Sequence, residues 1–193
     1  MVKTKLVLDT SLFVNPDVRH HFGGTPTESF RNFLKLAIEN SHVEIYMPPS
    51  IYRELMDFVD EKEIESKLLL RVKQKPPKKY ELMVPGAVLY ELVEDMRERV
   101  NKGLRIGEKA VRKMTGANNP KDDESEIISD FRRKYKEALR EGIIDSKEDI
   151  DLLLLALELD AAVVTADEGI LAWAEKLGVR IYEAKRLKDE FSP

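Results

Sequence analysis

The chain contains no cysteine and only three histidines, His20, His21 and His42. Without thiols there is no disulfide framework and no thiolate metal centre. With so little imidazole, a metal site must be built mainly from carboxylates, which favours Mg²⁺ over zinc and admits Mn²⁺ as a substitute. Long apolar runs are missing too, and no segment reaches the length that crosses a bilayer. The opening MVKTKLVLDTSLFV is apolar for a few residues only and is interrupted by Asp9. It lacks the extended apolar region and small-residue cleavage site of a secretory leader. These absences point to a cytoplasmic protein with no membrane partner. Positive charge is not in excess either: the formal net charge is −4. That argues against a generally basic nucleic-acid coat but leaves local basic patches open, because the shape of the field matters more than its sum. There is no G-x-G-x-x-G or Walker pattern, which counts against a nucleotide-binding regulator.

What is present is a chain of 193 residues, 42% hydrophobic and 35% charged. That suits one domain, or one domain with a sizeable insertion. Short apolar strands are expected at 4–8, 43–47, 161–165 and 179–182, alternating with helices at 27–39, from Ser50 onward, at 146–159 and at 168–177. Thr27 and Ser50 are the expected caps of the first two helices. Alternating strands and helices indicate an α/β fold with a central parallel sheet. The middle departs from this order. Residues 60–80 are rich in lysine and broken by Pro76-Pro77. A long helix follows at 85–114, with Gly103 and Gly107 as points of weakness, then a turn at TGANNP and a second helix at 122–140. This reads as a helical hairpin inserted into the α/β unit, dividing the chain into 1–84, 85–140 and 141–193.

Four aspartates fall where a parallel sheet places its ligands, beyond the carboxyl ends of the strands. Asp9 ends the first strand, and Asp167 follows AAVVT. Asp145 and Asp149 open the helix before that strand, and four-residue spacing puts them on one face. Crowded carboxylates repel unless a cation offsets them, and short oxygen donors suit Mg²⁺. Each aspartate also has an ordinary explanation. Asp145-Ser-Lys-Glu and Ser146-Lys-Glu-Asp both resemble capping boxes, Asp167 suits a helix cap, and Asp9-Thr-Ser suits an Asx turn. Joint placement at the strand ends favours a site. Glu54 is open between a ligand or supporting role and a surface ion pair. Thr10, Ser11, Asn15 and Thr165 are small polar neighbours able to hydrogen-bond carboxylates or phosphate. Asp151 and Asp160 read as structural or solvated.

Basic residues cluster from Lys67 to Lys79 and along both hairpin helices, where Arg105, Lys109, Arg112, Arg132 and Arg133 are candidates for RNA contact. Such runs are commonly solvated faces, yet paired basic helices also suit a phosphate backbone. An apolar stripe of Val88, Leu89, Leu92, Met96, Val100 and Leu104 packs either against Ile127, Ile128, Phe131, Tyr135 and Leu139 or against a neighbouring subunit.

LVLDTSLFVNP, GIIDSKEDIDLLLLA and VVTADEGI resemble the motifs of PIN-domain nucleases. With the inserted basic hairpin, and with Asp145-x₃-Asp149 eighteen residues before Asp167, nearly the whole chain resembles the protein-only ribonuclease P family typified by the homologs of Aquifex RNase P. Members have also been described as RNA ligase partner proteins. The resemblance implies a three-layer α/β/α domain and metal-dependent removal of the 5′ leader from precursor tRNA. It also implies catalytic and metal-binding aspartates at positions 9, 145, 149 and 167, with Glu54 a less secure match. No RNA subunit is needed, and the hairpin is implied in contacting tRNA and in building dimers toward a dodecamer. The alternatives are a toxin-like PIN ribonuclease that cuts tRNA internally and a non-catalytic RNA-binding partner of a ligase.

Overall fold

A computed structural model describes residues 3–115, 120–140, 144, 146–183 and 187. The chain divides into two compact units: Met1–Met83 with Ser146–Pro193, and Val84–Asp145.

The first unit is built on a five-stranded, wholly parallel sheet. The strands are β1 (Thr4–Leu8), β2 (Val43–Met47), β3 (Val72–Gln74), β4 (Ala162–Val164) and β5 (Arg180–Ile181). Their order across the sheet is β3-β2-β1-β4-β5. The chain therefore leaves β1 toward one edge and returns to its other side at β4. This reversal is where open parallel sheets bind ligands, and right-handed crossovers on its two sides put helices on opposite faces. Helix α1 (Ser11–Val14) follows β1, and α2 (Pro16–Arg19) and α3 (Pro26–Glu39) come next. Helix α4 (Pro49–Met56) follows β2, and α5 (Ser66–Leu69) precedes β3. One helical layer contains α3 against α1 and α5. In the other, α8 (Lys147–Leu159) lies on β1 and β4 and touches α4 and α9 (Glu168–Lys176).

Helix α3 buries Phe30, Phe33, Leu34 and Ala37, one stripe at helical spacing. Its cap is Thr25, not Thr27. The Thr25 side chain accepts from Glu28 N while the Glu28 side chain reaches back to the amide of Thr25, with Pro26 as first residue. Thr27 is buried instead and accepts the amide of Asp60 at 2.9 Å. Gly23 is demanded by close approach, since a Cβ there would lie 2.5 Å from Ser29 N. Helix α4 likewise starts earlier than expected. Pro48 and Pro49 open it, and Ser50, already inside the helix, does not cap. A proline has no amide to satisfy, so the first turn needs less capping.

The third strand has no counterpart in the expected set. β3 has three residues, buries only Val72 and exposes Lys73 and Gln74, so no alternating pattern announces it. A short edge strand bearing lysine discourages pairing with another chain. Lys73 reaches Glu44 at 2.8 Å, and Lys3 joins the same carboxylate at 3.0 Å. The hydrogen bond from Lys73, then those from Lys3 and Tyr46, bring the Glu44 pKa from 4.5 to about 2. A lowered carboxylate pKa contributes stability that is complete above pH 4.5 and is lost as pH falls toward about 2. Both lysines are exposed, so the contribution is below about 1 kcal/mol. Urea unfolding of Glu44→Gln at pH 6 is expected to show that small deficit, and the gap to wild type is expected to close by pH 2. A gap independent of pH would detach the effect from the Glu44 charge.

The second unit is an antiparallel helical hairpin of α6 (Ala87–Thr115) and α7 (Pro120–Arg140). Residues 116–119, the centre of the expected turn, lie outside the described residues. Helix α6 runs unbroken through Gly103 and Gly107, and Gly103 lets the Tyr135 ring of α7 come close. A Cβ on Gly103 would sit 2.6 Å from the Tyr135 ring, and one on Gly107 3.9 Å from Phe131. Ile127 is buried in the same seam. Leu89, Leu92, Met96, Val100 and Leu104 are all exposed. Val100 and Leu104 line a groove with Gly103, Gly107 and Tyr135, so part of the expected stripe faces α7 while most of its apolar surface stays uncovered.

Candidate active site

Asp9 continues β1 past its last residue, its amide donating to Val164 O of β4 at 3.0 Å. It sits at the reversal of strand order and is only 7% exposed. An apolar strand delivers it there: Leu6, Val7 and Leu8 are buried, so the chain can turn only where the sheet ends. Ser11 Oγ and Thr165 Oγ1 both donate to Asp9 Oδ2, the latter at 2.7 Å. Burial pushes the Asp9 pKa up. The hydroxyls of Ser11 and Thr165 and the amides of Thr10 and Ser11 oppose this without cancelling it.

Thr165 ties a second aspartate to the first. Its hydroxyl oxygen accepts from Asp167 N at 3.0 Å while donating to Asp9. Asp167 is also the cap of α9, its Oδ1 accepting from Ile170 N at 3.0 Å. The ordinary reading of this residue is thus realised alongside its place at the strand end. On α8 the cap is Ser146, whose side chain accepts from Asp149 N at 3.0 Å. Asp149 and Glu148 occupy the first turn, where acids are favoured by the helix dipole. Asp145 lies outside the described residues.

Glu54, on α4, shares the field of Asp9. Its pKa is raised by burial first, then by the negative charges of Asp9 and Glu148, against a hydrogen bond from the Thr10 side chain. Asp9 and Glu54 are therefore brought together, Asp167 is linked to Asp9 through one hydroxyl, and Asp149 stands in the turn that holds Glu148. The charge of Glu148 adds to the site, a role the sequence pattern does not announce. Its sequence signal is its place in the acidic first turn, where the pattern reads only as half of a capping box. Asp151 is taken by Lys79 at 2.7 Å. Asp160, in a left-handed conformation at the end of α8, accepts from Arg180. Asp151 is thus structural, while the Asp160 carboxylate is solvated. Asn15 caps α2 by accepting from Asp17 N at 2.9 Å, and so serves its own turn.

The donors assembled here are carboxylate oxygens, and two of the groups resist ionisation, Asp9 through burial and Glu54 through burial and then the charge of Asp9. This chemistry fits a hard divalent cation, which supplies the charge the pair lacks. Among the described residues no three acidic or histidine side chains are close enough to hold one ion jointly.

The basic clusters divide. From Lys67 to Lys79 most cations are spent on neighbours: Lys67 on Glu65, Lys73 on Glu44, Lys75 on Glu158, Lys78 on Glu81 and Lys79 on Asp151. On the hairpin, Arg105, Lys109, Arg112, Arg132 and Arg133 are all exposed. Arg133 is engaged on its own helix by Asp130 at 2.7 Å and Glu137 at 3.1 Å. Lys109 and Lys113 rim a groove of about 410 Å³ floored by Ile106, Ile127 and Phe131.

Comparison with known proteins fits this geometry. Residues 5–192 match the PINc domain ribonuclease family, whose nucleases generally use divalent metal ions. The chain is 52% identical over 186 residues to the RNA-free ribonuclease P of Pyrococcus abyssi, covering 96% of this chain and 90% of that one. It is 53% identical to its counterpart from Pyrococcus horikoshii, covering 97% and 91%. It is 48% identical to the one from Thermodesulfovibrio yellowstonii, covering 97% and 93%. The chain is an endoribonuclease of the PINc-domain class and belongs to the RNA-free ribonuclease P family.

Proposed function

We propose that this chain removes the 5′ leader from precursor tRNA without an RNA subunit, leaving a 5′-phosphate on the tRNA and a 3′-hydroxyl on the leader. The observation that carries the reading is near-full-length similarity to RNA-free ribonucleases P, centred on a buried aspartate at the sheet's reversal point. In this reading Asp9, Asp145, Asp149 and Asp167 hold Mg²⁺, with Mn²⁺ as a substitute, and Glu54 stands at the edge of the site. A cation bound there supplies an activated water and offsets charge on the phosphate oxygens. The chain's own work is to gather the carboxylates. The charges of Glu54 and Glu148 add to that of Asp9 and draw a cation. Ser146 caps α8, so capping does not require the Asp149 carboxylate. Asp167 caps α9 through Oδ1 alone. No protein nucleophile is needed: the hydroxyls of Thr10, Ser11 and Thr165 donate to a carbonyl or a carboxylate, and water is the attacking group.

The hairpin, residues 85–140, serves as the RNA-contacting insert between nuclease segments 1–84 and 141–193. Arg105, Lys109, Arg112 and Arg132 are its leading candidates, while Arg133 has acidic partners to leave first. Replacing Arg105 and Arg112 together with alanine is expected to weaken precursor-tRNA binding, and each lost phosphate contact lowers the salt slope by about 0.9 if the RNA behaves as a duplex. Filter binding across a salt series reads this out, and an unchanged slope would place the RNA surface elsewhere. The uncovered stripe from Leu89 to Leu104 supports self-association, as dimers that assemble to a dodecamer. No helix among the described residues is long and apolar enough to cross a membrane, and we place the enzyme in the cytoplasm.

The deciding experiment incubates purified protein with 5′-labelled precursor tRNA, with Mg²⁺ or with chelator, and maps the cut. Mg²⁺-dependent release of the intact leader is the expected result. An internal cut would indicate a toxin-like nuclease, and binding without cleavage a non-catalytic ligase partner.

A further inference from the structure

The carboxylate of Asp9 is gripped by two hydroxyls from opposite ends of the chain. Ser11 Oγ and Thr165 Oγ1 converge on the same oxygen, Oδ2. What each hydroxyl accepts fixes where its single hydrogen points. Ala166 N donates to Ser11 Oγ at 2.9 Å, and Asp167 N donates to Thr165 Oγ1 at 3.0 Å. Both amides occupy oxygen lone pairs and leave the hydroxyl hydrogens to face the carboxylate. The hydroxyls lie 3.2 Å apart, close enough for one to donate to the other, but an ionised carboxylate is the stronger acceptor. The amides of Thr10 and Ser11 also attend the carboxylate; each carboxylate oxygen offers about two lone-pair positions, and the two hydroxyl donors take those of Oδ2.

We propose that Ser11 and Thr165 are positioning residues that commit Asp9 Oδ2 to the protein and present Oδ1 as the oxygen with which Asp9 takes a divalent cation. This rests on the reading of Asp9 as a metal ligand. Thr165 carries the larger share. It is 5% exposed, and its one hydroxyl joins the end of β1 to the start of α9, so the settings of Asp9 and Asp167 are coupled through it. Partners that orient a ligand in this way commonly govern metal affinity although they never touch the metal.

The test uses the whole chain. Mn²⁺ affinity is measured by calorimetry without RNA, and single-turnover cleavage and the KM for precursor tRNA are measured in parallel. Thr165→Val, which keeps the shape and removes the hydroxyl, is expected to weaken Mn²⁺ binding by about 10–100-fold, with KM for precursor tRNA unchanged. Thr165→Ser is expected to restore most of the loss, since it returns the hydroxyl. Wild-type Mn²⁺ affinity in folded Thr165→Val would overturn the positioning role. If Thr165→Val does not fold, Ser11→Ala decides: it removes the other donor from the same oxygen, and unchanged affinity there overturns the proposal equally. A wild-type chain that binds no Mn²⁺ and cleaves undiminished in chelator refutes the ligand reading itself, a result distinct from intact metal binding in the variants.

Discussion

Asp9→Asn is expected to lower leader cleavage at least about a thousandfold, on the order of 4 kcal/mol of transition-state stabilisation, while the fold survives. The substitution keeps the side chain's shape. An amide oxygen in the place of Oδ2 still accepts from Ser11 and Thr165, so the turn retains its hydrogen bonds. What disappears is the negative charge at the sheet's reversal point. That charge is costly to the folded protein, because burial already raises the Asp9 pKa. In chelator, Asp9→Asn protein is therefore expected to melt at or above the wild-type temperature. Adding Mg²⁺ should raise the wild-type midpoint by mass action and leave the variant's unmoved. Single-turnover cleavage and thermal unfolding with and without metal make the check. A folded variant that cuts at the wild-type rate would remove Asp9 from the catalytic set.

Phe13→Ala is expected to cost about 3–5 kcal/mol of stability. Phe13 lies in α1, two residues past Ser11, and is fully buried. Its ring meets those of Phe30 at 4.9 Å and Phe33 at 5.4 Å, both edge-on, and Phe22 extends the cluster through Phe33 at 5.4 Å. Removing it opens a cavity between α1 and α3, whose aromatic walls cannot collapse far. For a unit of this size the shift in melting temperature is on the order of 10 °C. The loss also reaches the site, because α1 carries Ser11 to Asp9. Urea unfolding provides the measurement. A loss below about 1 kcal/mol, the scale of a well-tolerated volume-conserving swap, would mean that α1 does not depend on this cluster.

Much of this arrangement can be read before any coordinates, and the residues show why. β1 and β2 announce themselves by apolar runs of strand length, and Asp9 and Asp167 follow from where such strands end. The helix caps are harder, because several small polar residues compete locally. Thr25 wins over Thr27 because it alone has Glu28 three residues on to complete the box. At α8 two boxes overlap, and Ser146 takes the cap. β3 is hidden because an edge strand of three residues with one buried side chain has no period to detect. Glu148 is hidden for another reason: its charge matters to Glu54, on a helix almost a hundred positions earlier, and no local pattern reports that. The stripe on α6 is visible as a stripe, but periodicity cannot tell which surface covers it. Gly103 and Gly107 lie on the same face as that stripe and meet Tyr135 and Phe131 of α7, while the apolar side chains around them stay exposed.

The hydroxyl bridge from Thr165 to Asp9 spans 156 positions of sequence, and that separation bears on the protein's synthesis. A ribonuclease is made beside the ribosome's own RNA. The turn at Asp9 leaves the tunnel early, but Asp9 lacks its partner Thr165 until nearly the whole chain has followed. Unit 84–145 is held by local contacts between two successive helices and can form meanwhile. Its folding shortens the open loop between β1 and β4, a saving of about 0.5 kcal/mol in closure entropy. The nascent chain thus carries its helical insert before Thr165 arrives to complete the turn that holds Asp9.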